Sequence, residues 1–228
     1  MYRIGTTCCS LVTVNTFVGE FSSVSMLHKM VPSAITYNSL LQTEGGGYYS
    51  VNLSADGHVI CGMRVKAEVW DPDKSEIKYS TSVEGDMFDM KEYGDHLYRA
   101  LQHDDQLTVV RYDRQLTNRE DVISIPYKAF SQIDVRYGKI AVTDWDNELI
   151  ELYTTDGEFV RDIHLKAAKF PRGVHLMKDD CVLVSDCDAH SVTKYRTDGS
   201  GEIVWRCDDS LQYPTGLCVD EWGFVFVA

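Results

Sequence analysis

The chain lacks most of the signatures that would settle a function at once. No run of 18 or more apolar residues occurs among its 228 residues, so no segment reads as a membrane-spanning helix. The start, Met1-Tyr2-Arg3-Ile4, leads into a polar-interrupted stretch and has no continuous apolar core of a secretory leader. There is no Gly-x-Ser-x-Gly, no phosphate-binding Walker loop, no dinucleotide fingerprint and no His-Glu-x-x-His. Basic residues are scarce: 22 Lys and Arg stand against 35 Asp and Glu, a formal charge of −13. That field repels phosphate backbones and anionic lipid, so nucleic acid and membrane are disfavoured partners. The seven cysteines form no C-x-x-C pair, and an odd count with Cys8 and Cys9 adjacent suits neither a disulfide framework nor a zinc site. They read as buried free thiols in a reducing compartment, which favours the cytoplasm.

What is present is a repeat. Short segments rich in Val, Ile, Tyr and Phe alternate with turn residues, and no stretch keeps a helical period over three turns, so the class is all-β. Aromatic residues stand at Trp70, Tyr112, Tyr153 and Tyr195, spaced 42, 41 and 42 apart. Three residues before each lies an apolar position: Ala67, Val109, Ile150 and Val192. A further column runs Leu101, Val142, Val184 and Phe226, and Gly57, Gly94, Gly138 and Gly223 mark turns, with Asp180 in the equivalent place of the fourth repeat. Phe170-Pro171-Arg172-Gly173 recurs 43 residues on as Tyr213-Pro214-Thr215-Gly216. A period of 40 to 45 residues carrying four short strands is that of a β-propeller blade, and one blade cannot bury both faces without neighbours. The prediction is therefore a β-propeller of four-stranded antiparallel blades. Residues 1–47 form a divergent or partial N-terminal blade, or supply strands to the last one. Residues 48–228 hold the repeats. The sequence stops inside the last repeat, which predicts a truncated last blade and an incomplete ring of five to six blades.

The third repeat parses as an inner strand over 132–137, then 139–143, 148–153 and an outer strand over 158–164. The fourth parses as 174–177, 181–185, 191–196 and 202–206. Pro171 to Gly199, with Val182-Leu183-Val184-Ser185-Asp186 and Asp198-Gly199, resembles the NHL-repeat propellers at the C-terminus of tripartite-motif proteins. Pro214 to Ala228 restarts the motif, and the third repeat keeps Ile140-Ala141-Val142-Thr143-Asp144 but lacks Pro-x-Gly. The first two repeats depart further, and nothing before residue 48 matches. The resemblance implies a non-catalytic interaction domain that recruits a protein partner, the recognition module of a tripartite-motif-type ubiquitin ligase, or a propeller that binds RNA. Any ligase activity would belong to segments outside this chain.

Several residues carry candidate chemistry. Asp144 with Asp146, and Asp186 with Asp188, are paired carboxylates of a type that ligates Ca²⁺. Their recurrence with the period places them on different blades, where such residues accept backbone N–H bonds in turns. Some propellers are metal-dependent lyases or lactonases that gather ligands at the central channel. His175 is the one histidine on a predicted inner strand, and one ligand is not a site, so no metal, cofactor or catalytic residue is assigned. For binding, loops at one end of the blades present Arg64, Lys66, His103, Tyr127, Lys128, Trp145, Asn147, Arg172, His190 and Tyr213. Trp, Tyr and Arg are the types that dominate interface hot spots, and the same rings could stack RNA bases. The Asp residues in those loops weigh against RNA.

Overall fold

The computed structural model describes residues 2–4, 9–13, 48–63, 65–71, 73–74, 76–82, 85–126, 131–208, 211–220 and 223–227. Every regular element among them is a strand. The chain opens with β1 (Tyr2–Ile4) and β2 (Cys9–Thr13). The first full repeat follows as β3 (Tyr48–Leu53), β4 (Val59–Met63), β5 (Lys66–Asp71) and β6 (Glu76–Ser82). The second comprises β7 (Asp86–Tyr93), β8 (His96–His103), β9 (Gln106–Asp113) and β10 (Arg119–Pro126). The third is β11 (Ile133–Arg136), β12 (Lys139–Asp144), β13 (Leu149–Thr154) and β14 (Phe159–His164). The fourth is β15 (Pro171–Leu176), β16 (Cys181–Asp186), β17 (Ser191–Arg196) and β18 (Ile203–Cys207). The chain closes with β19 (Leu217–Val219) and β20 (Phe224–Val227). The four full repeats each form one antiparallel sheet in sequence order, as blades do.

The chain divides into two compact units, one of residues 19–127 and one of residues 1–18 with 128–228. In the first unit, Ile60, Ala67 and Val69 of one sheet pack on Met90, Leu97, Leu101, Val110 and Tyr112 of the next. Ser50 in β3 donates to Asp89 in β7 at 2.8 Å, a second link between the two sheets.

The second unit shows most plainly why the sheets stack. Side chains on a strand alternate between faces. Val182 and Val184 of β16 point into a core shared with Ala141, Ile150 and Leu152 of the third repeat. Leu183, between them, points the other way, into a core with Val225 and Val227 of β20. All six residues of β16 are therefore buried, as expected of a strand covered on both faces.

The periodic columns land where the repeat put them. Ala67, Val109, Ile150 and Val192 are all 0% exposed, each in the third strand of its sheet. The turn column also holds: Gly57, Gly94, Gly138 and Gly223 have φ of 86°, 60°, 72° and 84°, and Asp180 takes 52° in the same role. That left-handed conformation suits glycine, and Asp tolerates it. Strand bounds in the third and fourth repeats match within about one to three residues. The largest shift is at β15, which starts three residues early, at Pro171, through a bulge before Val174.

The last sheet takes strands from the start of the chain, as one of the two readings of residues 1–47 expects: its order is β1-β2-β20-β19. Its departure lies in strand direction. β2 runs parallel to β20, with Ser10 opposite Phe224 and Thr13 opposite Val227, so this sheet is mixed and not purely antiparallel. The free edge of β20 needs partners for its N–H and C=O groups, and a strand of either direction supplies them. The expected boundary at residue 47 lies outside the described residues.

The thiols follow the reading in part. Cys61, Cys181 and Cys207 are buried, Cys187 is half-buried, and Cys218 is exposed. Cys218 is the middle residue of the three-residue strand β19, between the half-buried Leu217 and Val219, so its side chain points away from theirs. Burial, then the nearby Glu68 carboxylate, pushes the Cys61 thiol up to about 12.

Candidate functional site

The two Asp-x-Asp loops are built by their first carboxylates. Asp144 ends β12 and accepts the backbone N–H of Asn147 at 3.1 Å and the Asn147 side-chain amide at 2.8 Å. Asp186 ends β16 and does more. Its Oδ1 accepts from Ala189 N at 2.7 Å, and its Oδ2 accepts from Lys169 N at 2.6 Å. Phe170 N also donates to the carboxylate, at 3.1 Å to Oδ1. One buried carboxylate thus ties its own loop to the connection between β14 and β15. These are Asx-type loop anchors. Among the described residues no group of three or more His, Cys, Asp and Glu could hold a metal ion.

What these anchors position is a row of rings. Trp145, the residue after Asp144, packs on Phe170 with centroids 4.5 Å apart at 57°. The Arg172 guanidinium lies 5.7 Å from the Phe170 ring centre, in cation–π range. One repeat further on, His190 packs edge-on against Tyr213, 4.6 Å apart at 86°. The Tyr213 backbone N–H donates to His190 Nδ1 at 3.2 Å, so the neutral imidazole carries its proton on Nε2. In both places a ring from a second-to-third-strand loop packs on the aromatic residue just before the next repeat's proline. The loops are related in detail as well: Glu148 and His190, 42 residues apart, hold φ of 52° and 50°.

Tyr213 is the most exposed large ring of this set, at 63%. It holds φ of 49° directly before Pro214, although a residue ahead of proline is driven toward extended backbone. A left-handed tyrosine in that place is locally strained, and such strain collects where function requires a fixed pose. Close packing behind the row holds it. Gly173 N donates to Ser185 Oγ at 2.8 Å, and Ser185 Oγ donates to Thr215 O at 2.8 Å. A Cβ on Gly173 would stand 2.3 Å from Thr215 O, so only glycine admits this approach.

Of the ten residues expected at the binding face, Trp145, Arg172, His190 and Tyr213 fall in this row. Asn147 belongs to the Asp144 loop and has its amide engaged there. Lys66 and His103 lie in the other unit. Lys66 pairs with Glu68, and His103 stands 3.1 Å from Asp104. Arg64, Tyr127 and Lys128 lie outside the described residues. Phe170 is the ring of this row that the candidate set omitted, although its recurrence as Tyr213 was the available signal. His175 does sit on the terminal strand β15, with Nδ1 3.7 Å from Asp134 Oδ2. Asp134 also accepts Leu176 N at 2.8 Å and Arg136 Nε at 3.1 Å, so it latches β11 to β15.

No protein-family model matches the sequence, and no curated protein matches it. Among solved structures the chain is similar to virginiamycin B lyase from Staphylococcus aureus, at 14% identity and a TM-score of 0.64, over 82% of this chain and 65% of that one. It is similar to the WD40 β-propeller domain of Doa1, at 11% identity and a TM-score of 0.63, over 81% and 62%. Glutaminyl cyclase from Myxococcus xanthus aligns at 12% identity and a TM-score of 0.55, over 80% and 85%. The chain thus spans less than two thirds of the first two proteins' lengths. At these identities the likeness concerns architecture alone, and with the sheet order it makes this chain a β-propeller of four-stranded blades.

Proposed function

We propose that this chain recruits a protein partner through the row formed by Trp145, Phe170, Arg172, His190 and Tyr213. The observation that carries the reading is the paired packing of rings across successive repeats, with the strained, exposed Tyr213 at one end. Rings held by neighbours lose little entropy on binding, and aromatic and Arg side chains in a fixed array are the usual anchors of protein interfaces. The WD40 domain among the solved structures is a propeller of the same kind. The carboxylates of Asp146, Glu148 and Asp188, in the same loops, have no cationic partner among the described residues, which favours protein over RNA. The finer reading, from the Pro-x-Gly and Val-x-Val-x-Asp motifs, is that the partner is the substrate of a tripartite-motif-type ubiquitin ligase in the cytoplasm.

The test is affinity capture with the wild type and with Arg172→Glu combined with Tyr213→Ala. The reading expects at least one partner to be lost from the double variant while the fold is retained. An unchanged set of captured proteins overturns it. Binding of random single-stranded RNA across a salt series separates the alternative, because phosphate-driven affinity falls steeply with salt.

A further inference from the structure

The unit of residues 19–127 contains a cleft of about 210 Å³ that the ring row does not involve. Its floor is apolar: Ile60 and Val69 from one sheet and Leu97 from the next, all in the shared core, with Tyr79 at the side. Its mouth is ionic. The β3–β4 turn brings Asp56 and His58, β6 brings Lys78, β7 brings Glu92, and the β9–β10 turn brings Arg114.

The hydrogen bonds at the mouth leave an asymmetry. Every carboxylate oxygen is already engaged, by a hydrogen bond or by an ion pair. Asp56 Oδ1 accepts from Ser54 Oγ at 2.5 Å and faces His58 Nδ1 at 2.8 Å, and Asp56 Oδ2 lies 3.5 Å from Arg114. Glu92 Oε2 accepts Ala55 N at 2.8 Å, and Oε1 pairs with Arg114 at 2.9 Å. The donors are not matched in turn. Arg114 Nε is buried without a hydrogen-bond acceptor among the described residues, the Asp95 carboxylate being 4.0 Å away. Lys78 has three N–H groups and meets only His58 Nε2, at 3.0 Å, besides the Tyr79 ring. A buried guanidinium N–H without an acceptor is costly unless a ligand or water supplies one.

We infer that this cleft binds a small amphipathic carboxylate, its head accepting from Lys78 and Arg114 and its hydrocarbon body lying on Ile60, Val69 and Leu97. The size sets the body. At roughly 30 Å³ per water the cleft has room for about seven waters, a volume that suits a short aliphatic or aromatic acid and not a nucleotide. Two cationic heads donating to one carboxylate over an apolar floor give both charge and shape selection.

Hexanoate is the probe, titrated into the full chain by isothermal calorimetry and by chemical-shift mapping, beside hexanol and hexylamine. Saturable binding of hexanoate is expected, with hexanol at least tenfold weaker and hexylamine without effect. Lys78 is exposed and its contacts are the His58 ring nitrogen and the Tyr79 face, so Lys78→Met should keep the fold, with a small change in the thermal melt, and weaken hexanoate at least tenfold. Arg114→Lys, which keeps charge but removes Nε, should weaken it as well. No saturable hexanoate binding, equal affinity for hexanol, or an unchanged Lys78→Met overturns the assignment.

Discussion

Replacing Asp186 with Ala tests the claim that one carboxylate ties two loops together. The side chain is 3% exposed and accepts from three backbone N–H groups, those of Lys169, Phe170 and Ala189, at 2.6 to 3.1 Å. Truncation leaves all three donors without that acceptor. Each part-buried donor left unsatisfied costs about 1 kcal/mol at the lower end of the usual range, so the loss is about 3 kcal/mol. That is a large share of the ~5–15 kcal/mol that holds a domain folded. With a urea slope of about 2 kcal/mol/M the midpoint falls by roughly 1.5 M. The assay is urea denaturation followed by tryptophan fluorescence, since Trp145 packs on Phe170, which Asp186 positions. Asp186→Asn keeps the shape and one acceptor oxygen and should fall between the two. Asp188→Ala, in the same loop but exposed, should stay within about 0.5 kcal/mol of the wild type. If Asp186→Ala loses less than about 1 kcal/mol, or no more than Asp188→Ala, the anchoring argument is wrong.

Three further outcomes are expected. Gly173→Ala places a methyl group 2.3 Å from Thr215 O and 2.5 Å from Ser185 Oγ, so it should cost about 3 kcal/mol in a denaturant melt and weaken any partner captured by Tyr213. Asp113 is held down to about 2 by the Thr117 hydroxyl and backbone and by Asn118. Its contribution to stability is complete above the ordinary carboxylate value and is lost as pH falls through about 2, so Asp113→Asn should flatten the fall in urea midpoint between pH 4 and 2. In native thiol labelling at pH 8, exposed Cys218 should react first, while Cys61, with its thiol pushed up to about 12, should label only on unfolding.

Much of the architecture was legible because burial on two faces writes itself into sequence with a fixed period. Ile150 and Val192 cannot be polar, since each lies between two sheets, and Asp180 could be read as a glycine substitute because only certain residues take its backbone angle. The loop roles of Asp144 and Asp186 were legible for the same reason. Phe170 recurs as Tyr213 at the repeat period, but that it meets Trp145 is set by the meeting of two loops far apart in sequence, which no spacing records. Lys66 and His103 were expected at the same end of their blades as Trp145 and His190, but at other positions of the repeat, and they pair with their own neighbours Glu68 and Asp104. The parallel register of β2 was beyond reach, since a five-residue strand carries no directional signal. The cleft at Lys78 and Arg114 was invisible too: its mouth comes from two turns and from strands β6 and β7, and no motif records which of them meet.

The pairing of Ser10 with Phe224 also bears on how the chain acquires its shape. Hairpins such as β12–β13 close within a few residues and can nucleate early, whereas the last sheet waits for two segments separated by nearly the entire polypeptide. Pairing β2 with β20 over such a span carries an entropic toll that only neighbouring, already ordered strands can offset. Assembly is thus biased to proceed from the interior repeats outward, with the mixed sheet as the final seam.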